Sequence, residues 1–380
     1  MKIGIEGQRL FRRKKHGMDM VALELIKNLQ IIDTENEYVI FVSSDVDNGC
    51  IPFAPNFKIV ELKGLSYPTW EQFTLPKAAA AESCDLLHCT SNTAPVFGKV
   101  PLITTIHDII YLEKISLLQK GGTWHQKLGN MYRRWVVPMV IKRSLRVVTV
   151  SEFEKGRIQN YIGSGNNLVS IYNGVSSHFM KITDSAILSD AKAKYKLPDN
   201  FLFFLGNTDP KKNTPNVLKA FSIFNANSSI KYKLVMLDYE ENALMQVLND
   251  IGCPDIRKDI YLTGYVANTD LPAIINQCSV FLYPSLRESF GIPILEGMAC
   301  GVPVITSNTS SMPEIAGDAA LIVDPYNVGE IVVAINKILD DETYRNALRL
   351  RGIERAKQFS WRQMAQSYLE LYKTVYNELK

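Results

Sequence analysis

With 380 residues the chain is too long for one comfortable hydrophobic core, so two domains of ordinary size are expected. Its net charge of +3 is too small to argue for a nucleic-acid partner. The six cysteines form no CxxC pair, which speaks against a zinc site or a disulfide framework and fits a reduced, cytosolic protein.

Lys2 to Glu6 reads as an opening strand, and MKIGIEGQRL lacks the long apolar core of a signal peptide. Gly7 to Gly17 is a basic loop, followed by a helix from about Asp19 to Gln30 with Leu23, Ile26 and Leu29 mostly on one face. Tyr38 to Ser43 is a second strand. Strand, loop and helix with Gly17 before the helix suit a nucleotide-binding opening, but GxGxxG is absent and a plain turn glycine fits equally. Asp45-Val46-Asp47 is a formal DxD, in a loop whose composition reads as an exposed turn.

Asp85 to Cys89 and Leu102 to Ile106 are buried strands, and the second runs into His107-Asp108. A histidine at the C-terminal end of an interior strand lies at the usual ligand edge of an α/β sheet, or is a satisfied core group. His88 has the same setting one strand earlier, with less weight. Residues 119–146 read as helical, basic and aromatic, which suits an anionic lipid surface or a solvated face with buried tryptophans. Arg146 to Ser151 and Val169 to Tyr172 complete the strands of the first half. No window approaches the roughly 20 apolar residues needed to span a bilayer.

Ser176 to Asn200 reads as a linker and a lead-in helix. Phe201 to Leu205 is a strand, followed by GNTDPKKN and a helix from about Pro215 to Asn225. Lys211 and Lys212 before a helix start make a phosphate cradle or two solvated lysines. Lys233 to Leu237 and Ile260 to Thr263 are further strands, the latter closed by Gly264-Tyr265-Val266. Val280 to Tyr283 is a buried strand, and Ile294 to Cys300 a short helix with Pro293 at its start. Glu288 lies on the loop between them and Glu296 about one turn inside the helix, so both carboxylates can face one crevice. Val302 to Thr306 and Ala320 to Val323 are strands, and 328–340 and 342–357 are helices. Strands alternate with helices in both halves, which predicts two doubly wound parallel α/β domains.

No GxSxG, Walker loop or HExxH occurs. Glu288-Ser-Phe-Gly-Ile-Pro-Ile-Leu-Glu296 resembles the E-x7-E motif of retaining GT-B-fold glycosyltransferases of family 4. IGIEGQRL, LLHCTSN, TTIHDIIYL, VSEF, GNTDPKKN, LTGYV and GVPVITSNTSSMPEIAGDAALIVDP fall in the order that family shows, so the resemblance covers nearly the whole chain.

The resemblance implies two Rossmann-like domains facing a cleft. Residues 1–180 form the acceptor side, 181–360 the nucleotide-sugar side, and helix 361–380 packs back on the first. It implies that Glu288 contacts the donor sugar, with Ser289, Phe290, Gly291 and Ile292 lining its site. Glu296 holds the ribose, and Lys212, helped by Lys211, stabilises the leaving diphosphate. Tyr265 and Val266 frame the base, Gly17 admits the phosphates, and His107 serves the sugar and acceptor. No metal or other cofactor is implied. The glycine loop has one glycine where many members have two, and Asn207 stands where many have Arg.

The opening and the Pro-Lys-Lys-Asn loop look most like mannosyltransferases of polysaccharide or O-antigen assembly. GDP-mannose is therefore the first expected donor, ahead of UDP-glucose or UDP-N-acetylglucosamine. A lipid-linked glycan acceptor at the cytosolic membrane face, with peripheral membrane contact, is the expected partner. The rival readings are a nucleotide-sugar 2-epimerase and a catalytically idle nucleotide-sugar-binding subunit. A nucleic-acid binder is disfavoured, because the basic residues do not cluster with any reading motif.

Overall fold

The computed structural model describes residues 1–113, 124–163 and 167–380. Positions 119–123 of the expected basic helix lie outside the described residues. The chain divides into two compact units, Met1–Gly174 with Trp361–Lys380, and Val175–Ser360. The first division falls after Gly174, where the resemblance placed a boundary at 180.

The first unit is built on β1 (Lys2–Glu6), β2 (Glu37–Val42), β3 (Phe57–Glu61), β4 (Leu86–Cys89), β5 (Leu102–Ile106), β6 (Arg146–Thr149) and β7 (Leu168–Ser170). Among the described residues they form one sheet in the order β3-β2-β1-β4-β5-β6-β7, every pairing parallel. β1, β4 and β5 are near-continuous apolar runs because helices cover both faces of a parallel sheet. β3 is absent from the sequence reading for the complementary reason. It is an edge strand whose Lys58, Ile59 and Glu61 are exposed, so it lacks a buried strand's apolar signature. Residues 67–81 also went unread. Here a helical turn Tyr67–Thr69, a π-helical turn Trp70–Thr74 and a helix Leu75–Ala81 follow one another, with Pro68 and Pro76 placed at starts where no N–H is needed.

The helix Trp361–Glu378 belongs to the first unit and packs on the helix Gly17–Ile32. Its apolar stripe, from Trp361 and Met364 to Tyr372 and Val375, is buried. Two of its tyrosines reach the sheet. Tyr372 Oη lies 2.6 Å from His88 Nδ1, Tyr368 Oη lies 2.8 Å from Thr105 Oγ1, and His88 Nε2 lies 2.8 Å from the same Thr105 oxygen. Both ring nitrogens of His88 are therefore occupied, and its place is structural.

The second unit holds β8 (Phe201–Phe204), β9 (Lys233–Met236), β10 (Ile260–Leu262), β11 (Val280–Tyr283), β12 (Val304–Ser307) and β13 (Leu321–Val323). Among the described residues their order is β10-β9-β8-β11-β12-β13, again wholly parallel. Helices Thr214–Asn227 and Val328–Asp340 pack together over one face, around Leu218, Phe221, Ile331 and Ile335. The chain enters and leaves this unit at neighbouring points, where Val175 pairs with Ser360.

Strand order reverses direction between β1 and β4 in the first unit and between β8 and β11 in the second. Connections from adjacent strands diverge there and leave a crevice at the carboxyl ends.

Burial of His88 depresses its pKa to about 3, with His107 adding to the effect. The fold thus favours the neutral ring, and the stability this gives is full above the unfolded pKa near 6.5 and is lost as pH falls below it. For this group alone the loss between pH 7.5 and pH 5.5 is about 1.4 kcal/mol. Denaturant unfolding at the two pH values checks it, and replacing His88 by Gln should flatten that part of the profile.

Candidate functional site

The crevice of the second unit is made by the loops that leave β8 and β11. After Phe204 the backbone turns at Gly206, where an added Cβ would lie 2.1 Å from the Phe204 ring. Asp209 Oδ1 accepts the Lys211 N–H at 3.1 Å and starts the short turn Pro210–Lys212. Asn213 follows in the left-handed region at φ +61° and begins the helix Thr214–Asn227. Its buried Nδ2 donates to Pro284 O at 3.0 Å and to Pro325 O at 2.7 Å, joining three loops through one amide. Leu286 N donates to Lys211 O at 2.7 Å. The lysine loop and the glutamate loop are therefore one hydrogen-bonded piece.

On that piece Lys212 Nζ donates to Glu288 Oε1 at 2.7 Å and to Tyr283 Oη at 2.8 Å. Both charged side chains are largely buried, at 15% and 13% exposure. A hydrogen bond with an ionised partner in such a setting contributes about 1.5–3 kcal/mol, against a fraction of that at an open surface. The backbone of Glu288 is held as well. Its N–H donates to Ser310 Oγ at 3.0 Å, and Ser311 Oγ lies 2.9 Å from Glu288 O and 3.0 Å from Phe290 O. Ser289 lies on the same loop between them. Gly291, at φ +100°, gives the turn into the helix Ile292–Ala299, whose N-terminus thus follows directly on the Glu288 loop. Phe290 is buried against Phe359, with ring centroids 5.9 Å apart.

Glu296 sits in that helix, and its carboxyl has no hydrogen-bond or ion-pair partner among the described residues. Burial alone raises its pKa to about 7, although part of the residue remains accessible. Lys211 is exposed and lies 3.5 Å from Asp209. Tyr265 is exposed and follows Gly264, which is left-handed at φ +70° and accepts the Asp238 N–H. Val266 is half-buried beside it.

In the first unit, His107 directly follows β5 and is buried. Its N–H donates to Asn92 Oδ1 at 2.6 Å, and Nε2 lies 3.0 Å from Thr90 O, so Nε2 carries the proton. Burial lowers its pKa, against the Thr90 carbonyl and Asp108, and keeps the ring neutral. Glu6 ends β1 and ties it to the end of β4. Its Oε1 accepts Gln8 N–H at 2.9 Å, and its Oε2 accepts from Thr90 N and Oγ1 at 3.3 and 3.2 Å. Gly17 opens its helix with no atom within 4 Å of an added Cβ and no left-handed φ, so neither packing nor backbone requires glycine there. Asp47 of the DxD pairs with Lys15. Among the described residues no group of three or more His, Cys, Asp or Glu side chains is placed to hold a metal ion.

Comparison with known proteins gives this arrangement a family. Residues 17–179 match the model of Glycosyltransferase Family 4, and residues 188–358 match that of Glycosyl transferases group 1. The O-antigen chain mannosyltransferase B of Escherichia coli is 33% identical over 282 residues, which cover 72% of this chain and 70% of that protein. The chain belongs to glycosyltransferase family 4. The serotype-specific mannosyltransferase WbdA of Escherichia coli is 30% identical over 212 residues, 54% of this chain and 26% of that longer protein. The solved HepE of Anabaena, in complex with UDP and glucose, superimposes with a TM-score of 0.76 at 17% identity, covering 98% of this chain and 100% of that one. The architecture is the GT-B fold of this family, with two parallel-sheet α/β units.

For this glycosyltransferase the structure brings Lys212, Glu288, Phe290, Gly291 and Ile292 into one switch-point piece of the second unit. It places Gly17 and His107 in the first unit. Three parts of the site were given no role of their own in the sequence. Asn213 had a signal, because an Asn before Thr-Pro at a helix start suits a left-handed turn. Ser310 and Ser311 stood in a serine-rich stretch with nothing to tie them to Glu288. Tyr283 read only as the apolar end of a strand.

No helix among the described residues is long and apolar enough to cross a membrane.

Because its folded pKa is raised, ionised Glu296 opposes folding at high pH, and this cost vanishes as pH falls toward the ordinary carboxylate range. Glu296→Gln, an isostere of the protonated acid, should therefore stabilise the protein by on the order of 2 kcal/mol at pH 8 and far less at pH 4.5. Thermal melts at both pH values check the sign, and an equal shift at both would show that charge is not the cause.

Proposed function

We propose that this glycosyltransferase moves mannose from GDP-mannose to a growing, lipid-linked glycan in polysaccharide or O-antigen assembly, with retention at the anomeric carbon and without a metal ion. The observation that carries the reading is the Lys212–Glu288 pair, a cation and a carboxylate held together at the strand-order reversal of the second unit. The mannose assignment is supported by the similarity to O-antigen chain mannosyltransferase B and to WbdA. UDP-glucose and UDP-N-acetylglucosamine remain the next donors to test.

In this reading the diphosphate departs as positive charge develops at the sugar. Lys212, helped by Lys211, stabilises the negative charge on the leaving group, and so does the work a metal does elsewhere. Glu288 accepts from sugar hydroxyls, and the turn at Phe290, Gly291 and Ile292 brings backbone close to the donor. Glu296 takes the ribose hydroxyls, and its missing partner fits a group awaiting donors. Tyr265 and Val266 frame the base. Gly17 needs no glycine for the fold itself, which suits close approach of a ligand. His107, neutral with its proton on Nε2, is assigned to the sugar and acceptor. The departing phosphate oxygen takes the acceptor's proton on the face where the bond breaks. The acceptor meets the enzyme at the cytosolic membrane face, through peripheral membrane contact.

A melting panel of GDP, UDP and ADP tests the donor. The nucleotide that binds raises the melting temperature in proportion to ln(1 + [L]/Kd), and GDP is expected to give the largest shift. Lys212→Ala and Glu288→Ala should each lower sugar transfer by about 100-fold or more. Full transfer in both variants sinks the site assignment, and a shift with UDP but none with GDP sinks the choice of donor.

A further inference from the structure

Lys212 has a second partner that the motif does not contain. A lysine ammonium carries three N–H donors and no acceptor. One N–H goes to Glu288 Oε1 at 2.7 Å and a second to Tyr283 Oη at 2.8 Å. The same nitrogen stands 4.7 Å from the centre of the Tyr283 ring. Among the described residues the third N–H has no partner, and it is left to meet an incoming ligand.

The two partners hold the ammonium in different ways. Glu288 is an anion, so its grip opposes the lysine's attraction for phosphate, and it is assigned to the sugar once a donor is bound. The phenol is neutral and fixes the ammonium without cancelling its charge. Its own position is rigid. Tyr283 is the last residue of β11, fully buried, and pairs in register with Thr306 of β12. Thr306 Oγ1 donates to its carbonyl at 3.1 Å. Burial, and next the adjacent Glu288 carboxylate that accepts from its hydroxyl, raise its pKa well above the ordinary range and keep the phenol protonated. A charged group on a flexible four-carbon stem is thereby anchored to the sheet, and a site is held best when its supports stand on such elements.

We propose that Tyr283 is the positioning residue of the phosphate-binding lysine, fixing Lys212 so that its remaining N–H faces the leaving diphosphate of the donor. The proposal rests on the donor-site reading given above. It extends that reading to a residue outside the E-x7-E motif and the lysine loop.

Binding of GDP and of UDP, measured separately by calorimetry, tests it in wild type, Tyr283→Phe, Lys212→Met and the double variant. Tyr283→Phe keeps the ring and the packing and removes only the hydroxyl, and a melt confirms that it folds. For the diphosphate that wild type binds, Tyr283→Phe should weaken affinity about tenfold. Affinity for the matching nucleoside, guanosine or uridine, should be unchanged. In the Lys212→Met background the same change should have no further effect, because the hydroxyl acts only through the ammonium. Equal weakening in both backgrounds, or weakening of nucleoside as well, would show a packing role and overturn the proposal. So would unchanged diphosphate affinity in Tyr283→Phe beside a clear loss in Lys212→Met. If wild type binds neither GDP nor UDP, or Lys212→Met binds as wild type does, the donor-site reading has itself failed and takes the proposal with it.

Discussion

A parallel strand cannot turn back through a hairpin, and much of this molecule follows from that constraint. Each strand must be followed by a crossover, so every strand delivers its outgoing loop to the same edge of the sheet. Both units obey this throughout their described strands. The loops that carry Lys212 and Glu288 leave β8 and β11, which are neighbours in the sheet, although the two residues are 76 positions apart in the chain. Their side chains meet because strand order reverses between them. The same logic places Glu6 and Thr90 together at the reversal of the first unit.

Topology alone would leave these loops loosely placed, and a network of buried polar groups tightens them. Asn213 is the most economical member, since one amide nitrogen satisfies two carbonyls from two other loops. Ser310 and Ser311 do the same for the glutamate loop. Such groups must be bonded once buried, so their partners are not optional. The charges of Lys212 and Glu288 can then be held close together, because the surrounding framework tolerates the cost of keeping them there. Glu296 differs from the rest: burial pushes its carboxyl up to about 7, and it has no bonded partner among the described residues.

How much of this the sequence could show depended on burial. β1, β5, β8 and β11 were legible because a strand covered on both faces is a run of apolar residues. The alternation of such strands with helices was enough for the fold, and the E-x7-E pattern with the lysine loop was enough for the family. β3 was illegible because half its side chains face water, and the helix Glu241–Asp250 because it is short and polar. Within the site, charge was legible and support was not. Lys212, Glu288 and Glu296 announce themselves by residue type. Tyr283 looks like any aromatic strand residue until its hydroxyl is seen beside an ammonium. His88 and His107 have similar settings in sequence, and only their partners separate them. Two tyrosine and threonine hydroxyls close off the first, whereas one ring nitrogen of the second is left without a bonded partner among the described residues.

The helix Trp361–Glu378 bears on how such a chain is made. It is synthesised after the whole of the second unit, yet it supplies the Tyr372 hydroxyl that bonds His88 and the apolar stripe that packs on the helix Gly17–Ile32. Val175–Ser360 therefore emerges whole, with every group it needs, while the half translated before it still has an uncovered face. Order of synthesis and order of completion run in opposite directions. The first unit must wait, with the face of the helix Gly17–Ile32 that meets Trp361–Glu378 uncovered, until that later helix has been made.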